Sequence, residues 1–216
     1  MTISQEDIKR VKGLGFLHNR GTDNFSGRII TENGIINSRQ LAIISQAAEK
    51  FAAGDIAFTS RMTIEVPGIA YDKIEAFRRF IAQENLQTGG TGAKVRPIVA
   101  CKGTTCVFGL YDTQKLAQEI HQRFFVGYQD IKLPHKFKIA VGGCPNNCVK
   151  PNLNDLGIVG QLIPNFDEDS CNGCKKCSIV EKCPIGAATI ENGILNINKD
   201  ECNNCGRCVG ACNFDS

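Results

Sequence analysis

Between residues 41 and 51 the apolar side chains Leu41, Ile44, Ala48 and Phe51 recur at intervals of three or four, the spacing that places them on one face of a helix. Ser38 stands ahead of that run, where its hydroxyl can cap the first turn, and Gly54 follows it, so the pattern predicts a helix over RQLAIISQAAEKFAAG. Upstream, GRIITENGIINS sets Asn33-Gly34 between two β-rich arms, the pairing that favours a two-residue hairpin turn. Downstream, IAFTSRMTIEV reads as one strand or a pair of strands ended by Pro67-Gly68, and YDKIEAFRRFIAQENL as a second helix.

The order strand, helix, strand, helix predicts an α+β unit over residues 1–88, roughly a ferredoxin-like half-domain. The glycine-rich TGGTGA at 88–93 marks its end. Beyond it RPIVACKG reads as a buried strand ending in a turn, DTQKLAQEIHQRFF as an amphipathic helix, and KFKIAVGG and LGIVGQL as two further strands. That alternation predicts an α/β unit over 89–164 with cysteines at its strand ends, where functional groups commonly lie. From residue 165 the composition shifts to Cys, Asn, Gly and Lys, and a second Asn-Gly turn at Asn192-Gly193 separates two cysteine-rich halves. This third unit, 165–216, has too little apolar content to fold without a staple.

Composition narrows the possible chemistry. A 216-residue chain with 42% hydrophobic residues can build real cores, which excludes a disordered chain. A net charge of +3, from 25 basic and 22 acidic residues, gives no argument for nucleic acid or a membrane surface, so any use of basic groups must be local. No apolar run approaches the length of a membrane span, and MTISQEDIKR lacks the signal-peptide pattern, so the expected location is the cytoplasm. Eight of the twelve cysteines fall in the last 46 residues, as CNGCKKC followed by CP and CNNCGRC followed by a further Cys.

Thiolates are soft ligands, and a 4Fe-4S cubane takes four of them. Cys171, Cys174 and Cys177 can wrap three corners of one cluster, and Cys202, Cys205 and Cys208 those of another. In bacterial two-cluster ferredoxins the fourth cysteine of each run serves the other cluster, which assigns Cys212 to the first and Cys183 to the second. Five residues separate Cys177 from Cys183 where three are usual, which lengthens a loop and keeps the ligand count. A zinc site or disulfides are the alternatives. Four cysteines remain, Cys101 and Cys106 in ACKGTTC and Cys144 and Cys148 in GGCPNNC. They are enough for one more cubane, or for two pairs of structural or zinc-binding cysteines.

Their neighbourhood resembles the sirohaem-dependent sulfite and nitrite reductase family, in which a C-x5-C pair and a C-x3-C pair hold one cluster. LPHKFKIAVGGCPNNCVKPNLNDLGIVG is similar to that family throughout, TSRMTIEVPGI at 59–69 resembles its arginine-bearing segment, and FSGRIITENGIINSRQL an earlier one. The ferredoxin module after the C-x3-C half looks like the small, anaerobic or dissimilatory-type sulfite reductase subunits. The resemblance implies sirohaem beside a third 4Fe-4S cluster, with Cys148 bridging to the haem iron and Thr104, Thr105, Asn146 and Asn147 close to the cofactor. It implies six-electron reduction of sulfite to sulfide, or nitrite to ammonia, with Arg28, Arg61, Lys136 and Lys138 stabilising the anion and supplying protons. Lys136 and Lys138 alternate by two and so face one side of a strand, while Gly142 and Gly143 allow close approach to a cofactor. The implied partners are an electron-donor protein or reductase subunit, and a homo- or hetero-oligomer.

Two features depart from the family pattern. ACKGTTC is C-x4-C, one residue short, and the chain stops four residues after Cys212 where relatives resume the sirohaem domain. They leave a second reading, a haem-free iron-sulfur protein that passes electrons to a partner. Arg39, Arg78 and Arg79 fall on predicted helices as surface charges, and His18, His121 and His135 read as surface or packing residues.

Overall fold

A computed structural model describes residues 3–214. The first part is built from α1 (Gln5–Gly13), β1 (Phe16–His18), β2 (Asn24–Ile29), α2 (Ser38–Phe51), β3 (Ala57–Phe58), β4 (Ile64–Ala70) and α3 (Ile74–Ile81). The strands pair antiparallel in the order β1-β2-β4-β3. Phe25 and Ile29 of β2 and Ile64, Val66 and Ile69 of β4 share one core with Ile43, Ile44, Ala47 and Ala48 of α2 and Phe77 and Ile81 of α3. Strand alternation therefore turns Arg28 and Glu65 to the sheet face away from that core.

Four local expectations shift. Asn37, not Ser38, caps α2: its side chain accepts the Gln40 N–H at 2.9 Å, and the Gln40 side chain accepts the Asn37 N–H at 3.0 Å. Two reciprocal bonds satisfy two end donors, which Ser38 one residue later would not do. The buried stripe is Ile43, Ile44, Ala47 and Ala48, whereas Leu41 is 44% exposed. β4 runs through Pro67-Gly68 to Ala70, because Ser26 opposes both residues in a bulge and β3 pairs with β4 only at Ile64 and Glu65, so no ladder bond is asked of Pro67. Asn33 and Gly34 take φ of 57° and 88° in a tight turn, yet it closes a single bridge, Glu32 to Ile35, before the chain enters α2.

The second part places β5 (Val99–Ala100), β6 (Ile139–Gly142) and β7 (Leu156–Val159) in a parallel sheet of that order, with α4 (Thr113–Ile120) as the crossover. Asp112 caps α4 by accepting the Lys115 N–H at 3.0 Å, and the helix widens into a π turn over His121–Val126. Ile98, Ala100, Ala117, Ile120, Ile139 and Val141 form this core. The third part holds α5 (Ser178–Lys182) and the hairpin β8 (Ala188–Glu191) and β9 (Ile194–Ile197), closed by Asn192-Gly193 with both φ positive as expected. Its buried core is Ile179, Ala188, Leu195 and Ala211, with Cys171, Cys177, Cys183, Cys208 and Cys212 packed against them. Among the described residues no helix is long and apolar enough to cross a membrane.

Candidate functional site

Parallel pairing of β5 with β6 brings Cys101 and Cys144, each just past a strand end, to the same edge of the sheet. The Gly143 N–H donates to Cys101 Sγ at 3.1 Å. A Cβ on Gly143 would lie 3.0 Å from Gly103 Cα, and one on Gly142 would lie 2.8 Å from Pro151 Cγ. The glycine pair thus makes room for neighbouring backbone and side chain, where the sequence suggested room for a cofactor. The consequence is that the ACKGTTC and GGCPNNC loops meet. Cys101, Cys106 and Cys144 are half-buried and Cys148 is exposed; no disulfide joins any described cysteines. Among the described residues no three Cys, His, Asp or Glu side chains are gathered tightly enough for a single metal ion, and a cubane holds its thiolates farther apart than one ion does.

The residues around these cysteines shape the loops. Thr104 Oγ1 donates to Asp112 at 2.6 Å and accepts the Gln114 N–H at 3.1 Å, tying the loop to the start of α4. Thr105 turns back to the Lys102 carbonyl at 3.4 Å. Asn147 has φ of 58° and donates to Asn152 at 2.8 Å, while its buried Oδ1 lacks a partner. Asn146 accepts from Arg207 at 3.1 Å.

At the other end of the same strands the cations gather. Arg28 donates through Nε to Glu65 at 2.8 Å and through Nη1 to the Gly90 carbonyl at 3.3 Å. Arg61 is half-buried and donates to Asn154 Oδ1 at 2.8 Å and to the Pro97 and Ile139 carbonyls at 2.7 and 3.0 Å. Burial, then the charge of Arg96, brings the Arg61 guanidinium down to about 10, with Asp155 opposing. Arg96, which sequence reasoning missed, also donates to Gly90, and burial followed by the charge of Arg28 holds it below its usual range. Its signal was there: it precedes Cys101 by five residues as Lys138 precedes Cys144 by six, a cation at the start of each cysteine-ended strand. The Nε groups of both Arg61 and Arg96 are buried without partners. Lys138 lies just before β6, its N–H donating to Asp155 at 2.7 Å; Lys136 is exposed on the preceding segment. Both lysines thus precede the regular strand that was expected to carry them.

In the tail, Cys183, Cys202, Cys205 and Cys208 line one small cavity with Pro184 and Ile185. Burial raises the Cys208 thiol, its own backbone N–H lowers it, and the thiolates of Cys205, Cys202 and Cys183 raise it again. Burial also pushes Cys183 up, but backbone N–H groups of Ile185, Ala188, Ala187 and Gly186 outweigh it and leave the thiol lowered. A ring of N–H donors around sulfur suits a thiolate ligand. A roomier cleft lies elsewhere, between the Ile30–Asn37 segment and α4 with its π turn; it has glutamine and asparagine walls and no lysine or arginine, so it does not suit an anion.

Cysteines at this spacing and in these loops suit iron-sulfur clusters, and comparison with known proteins points the same way. Three family models match in succession: the nitrite/sulfite reductase ferredoxin-like half domain over 18–83, the nitrite and sulphite reductase 4Fe-4S domain over 91–165, and a 4Fe-4S dicluster domain over 163–213. The chain thus carries, in order, the ferredoxin-like half domain and the 4Fe-4S domain of nitrite and sulphite reductases and a 4Fe-4S dicluster domain. It is 36% identical to the coenzyme F420-dependent sulfite reductase of Methanocaldococcus jannaschii over 73% of this chain and 24% of that protein. It is 30% identical to an anaerobic sulfite reductase subunit of Salmonella typhimurium over 81% of this chain and 54% of that one. Dissimilatory sulfite reductase I shares the fold, with a TM-score of 0.66 and 23% identity over 86% of this chain and 49% of that chain. The chain thus spans about half the length of these relatives, or less.

Proposed function

We propose that this chain reduces sulfite, or nitrite, at a sirohaem coupled to one 4Fe-4S cluster and fed by two others. The observation that carries the reading is the parallel sheet with thiols at one end of its strands and guanidiniums at the other. Five residues from Arg96 to Cys101 span roughly 17 Å at about 3.3 Å per residue. A small oxyanion cannot touch both ends, but a carboxylate-fringed macrocycle can. The unpartnered Nε groups of Arg61 and Arg96, in a row of three guanidiniums answered by Glu65 and Asp155, supply what such a fringe requires.

Cys101, Cys106, Cys144 and Cys148 hold the cluster of this unit, with exposed Cys148 on the haem side and Asn146, Asn147, Thr104 and Thr105 shaping its loops. Cys171, Cys174, Cys177 and Cys212 hold a second cluster, and Cys202, Cys205, Cys208 and Cys183 a third, the last supported by their common cavity. We divide the chain accordingly at 1–88, 89–164 and 165–216. Bound sirohaem supplies an iron at which the anion is reduced. Arg28, Arg61 and Arg96 neutralise cofactor and substrate charge, and Lys136 and Lys138 donate protons as water leaves. Per sulfite, six electrons and seven protons give hydrosulfide and three waters. The partners are the anion and an electron-donor protein or reductase subunit, in the cytoplasm and in a homo- or hetero-oligomer. The test is anaerobic turnover with reduced viologen, with sulfide measured from sulfite and ammonia from nitrite; sirohaem-loaded protein that turns over neither would refute the reading.

A further inference from the structure

The tail does not hang free of the sheet that carries the strand-end cysteines. Leu162 donates its N–H to the Asn204 carbonyl at 2.8 Å and forms a parallel bridge to Cys205. Gly206, at φ of 69°, lies so close that a Cβ there would be 2.7 Å from Leu162 Cδ2. Beside this contact the half-buried Arg207 does two things at once. Its Nη2 donates to Asn146 Oδ1 at 3.1 Å, and its guanidinium stacks over the Phe108 ring at 4.5 Å from the centroid. Asn146 lies between Cys144 and Cys148, Phe108 follows Cys106 by two positions, and Arg207 itself lies between Cys205 and Cys208. One side chain therefore touches loops from both cysteine pairs of the sheet while rooted in a cysteine run of the tail.

We infer that Arg207 is a positioning residue that clamps the Cys183/Cys202/Cys205/Cys208 site against the Cys101/Cys106/Cys144/Cys148 site, making the former the inner relay for electrons entering from the Cys171/Cys174/Cys177/Cys212 side. The inference rests on the proposed assignment of clusters to these cysteines. The step is a one-electron transfer: the inner tail cluster is oxidised by one electron, the sheet cluster is reduced by one, and no bond or proton need change. A planar guanidinium suits the clamp because it can hydrogen-bond in its plane while stacking through its face, whereas lysine supplies only a point charge. Its positive charge between two thiolate-rich sites also offsets their mutual repulsion.

The test uses the full iron-loaded chain with Arg207→Ala, Arg207→Lys and Phe108→Ala, and iron per chain is measured first. Hydrogen exchange of the Leu162 amide reads the docking directly. Arg207→Ala should speed it by about two- to thirty-fold, the factor for a cation-π contact of about 0.5–2 kcal/mol at 1.4 kcal/mol per tenfold. Arg207→Lys should fall between, and Phe108→Ala combined with Arg207→Ala should add less than the two singly. In rapid mixing with a ferredoxin-sized one-electron donor, the tail clusters should be reduced as fast as before and the sheet cluster more slowly. Unchanged Leu162 exchange, or equal rates in Arg207→Ala protein of full iron content, overturns the inference. Wild-type protein with only about eight irons per chain would refute the three-cluster reading itself; Leu162 exchange would then still decide whether Arg207 clamps the tail.

Discussion

The ferredoxin-like part and the tail are held together by different physics. The former buries Phe16, Phe25, Phe77, Ile29, Ile44, Ile64, Ile69 and Ile81 almost completely, under aromatic contacts such as Phe16 with Phe77 at 6.0 Å. The tail has five buried apolar residues, three of them alanines and none fully buried, ringed by thiols. One is stabilised by area removed from water; the other depends on its clusters. The lesson is that a site can be specified by local spacing where metal does the folding, but has to be assembled from distant segments where a core does it.

Removing iron should give the largest effect. Chelation under anaerobic conditions is expected to unfold 165–213 and leave the rest intact, so exchange protection of the β8–β9 amides vanishes while that of β2 and β4 persists; a tail that stays protected would erase the contrast. Cys144→Ala should next lower the iron content by about four per chain and spare both tail clusters, whereas Cys208→Ala should destabilise the tail. In the core-held part, Phe77→Ala should cost about 3–5 kcal/mol in denaturant unfolding without changing iron content. Arg61→Met, which leaves the Pro97 and Ile139 carbonyls without their donor, should cost about 1–3 kcal/mol and weaken haem retention.

The smallest effect concerns pH. His121 is buried beside Phe125, with ring centroids 4.9 Å apart and Nδ1 unpartnered. Burial holds its imidazole below the usual 6.5, with Glu32 opposing. The unfolded chain therefore takes a proton before the folded one does, and stability should fall as pH drops below about 6.5, levelling off beneath the folded value. His121→Phe should flatten that limb of a urea-midpoint against pH curve.

How much could be read from the sequence follows the same division. The tail hairpin at Asn192-Gly193 and the spacing of Cys202, Cys205 and Cys208 are local facts, and those three thiols line one cavity with Cys183. The two helices α2 and α3 were legible because their apolar faces recur at helical spacing, though the reciprocal Asn37–Gln40 cap was hidden by the equally plausible Ser38. Helix α1 carried too little apolar pattern to be read; Val11 is its only buried residue. Arg96 escaped because its meaning comes from Arg28 and Gly90 across the chain, and Arg207 because a cluster-binding run conceals a side chain that acts on another loop. Lys136 and Lys138 were placed on a strand by their alternation, but the ladder with β7 begins only at Ile139, where the apolar run starts.

The most direct measurement is an anaerobic absorption spectrum of the isolated chain with iron and sirohaem quantified. Reduced-porphyrin bands with about thirteen irons per chain, three cubanes and one haem iron, are the predicted result. About eight irons with no haem band would contradict the account and leave a two-cluster electron carrier.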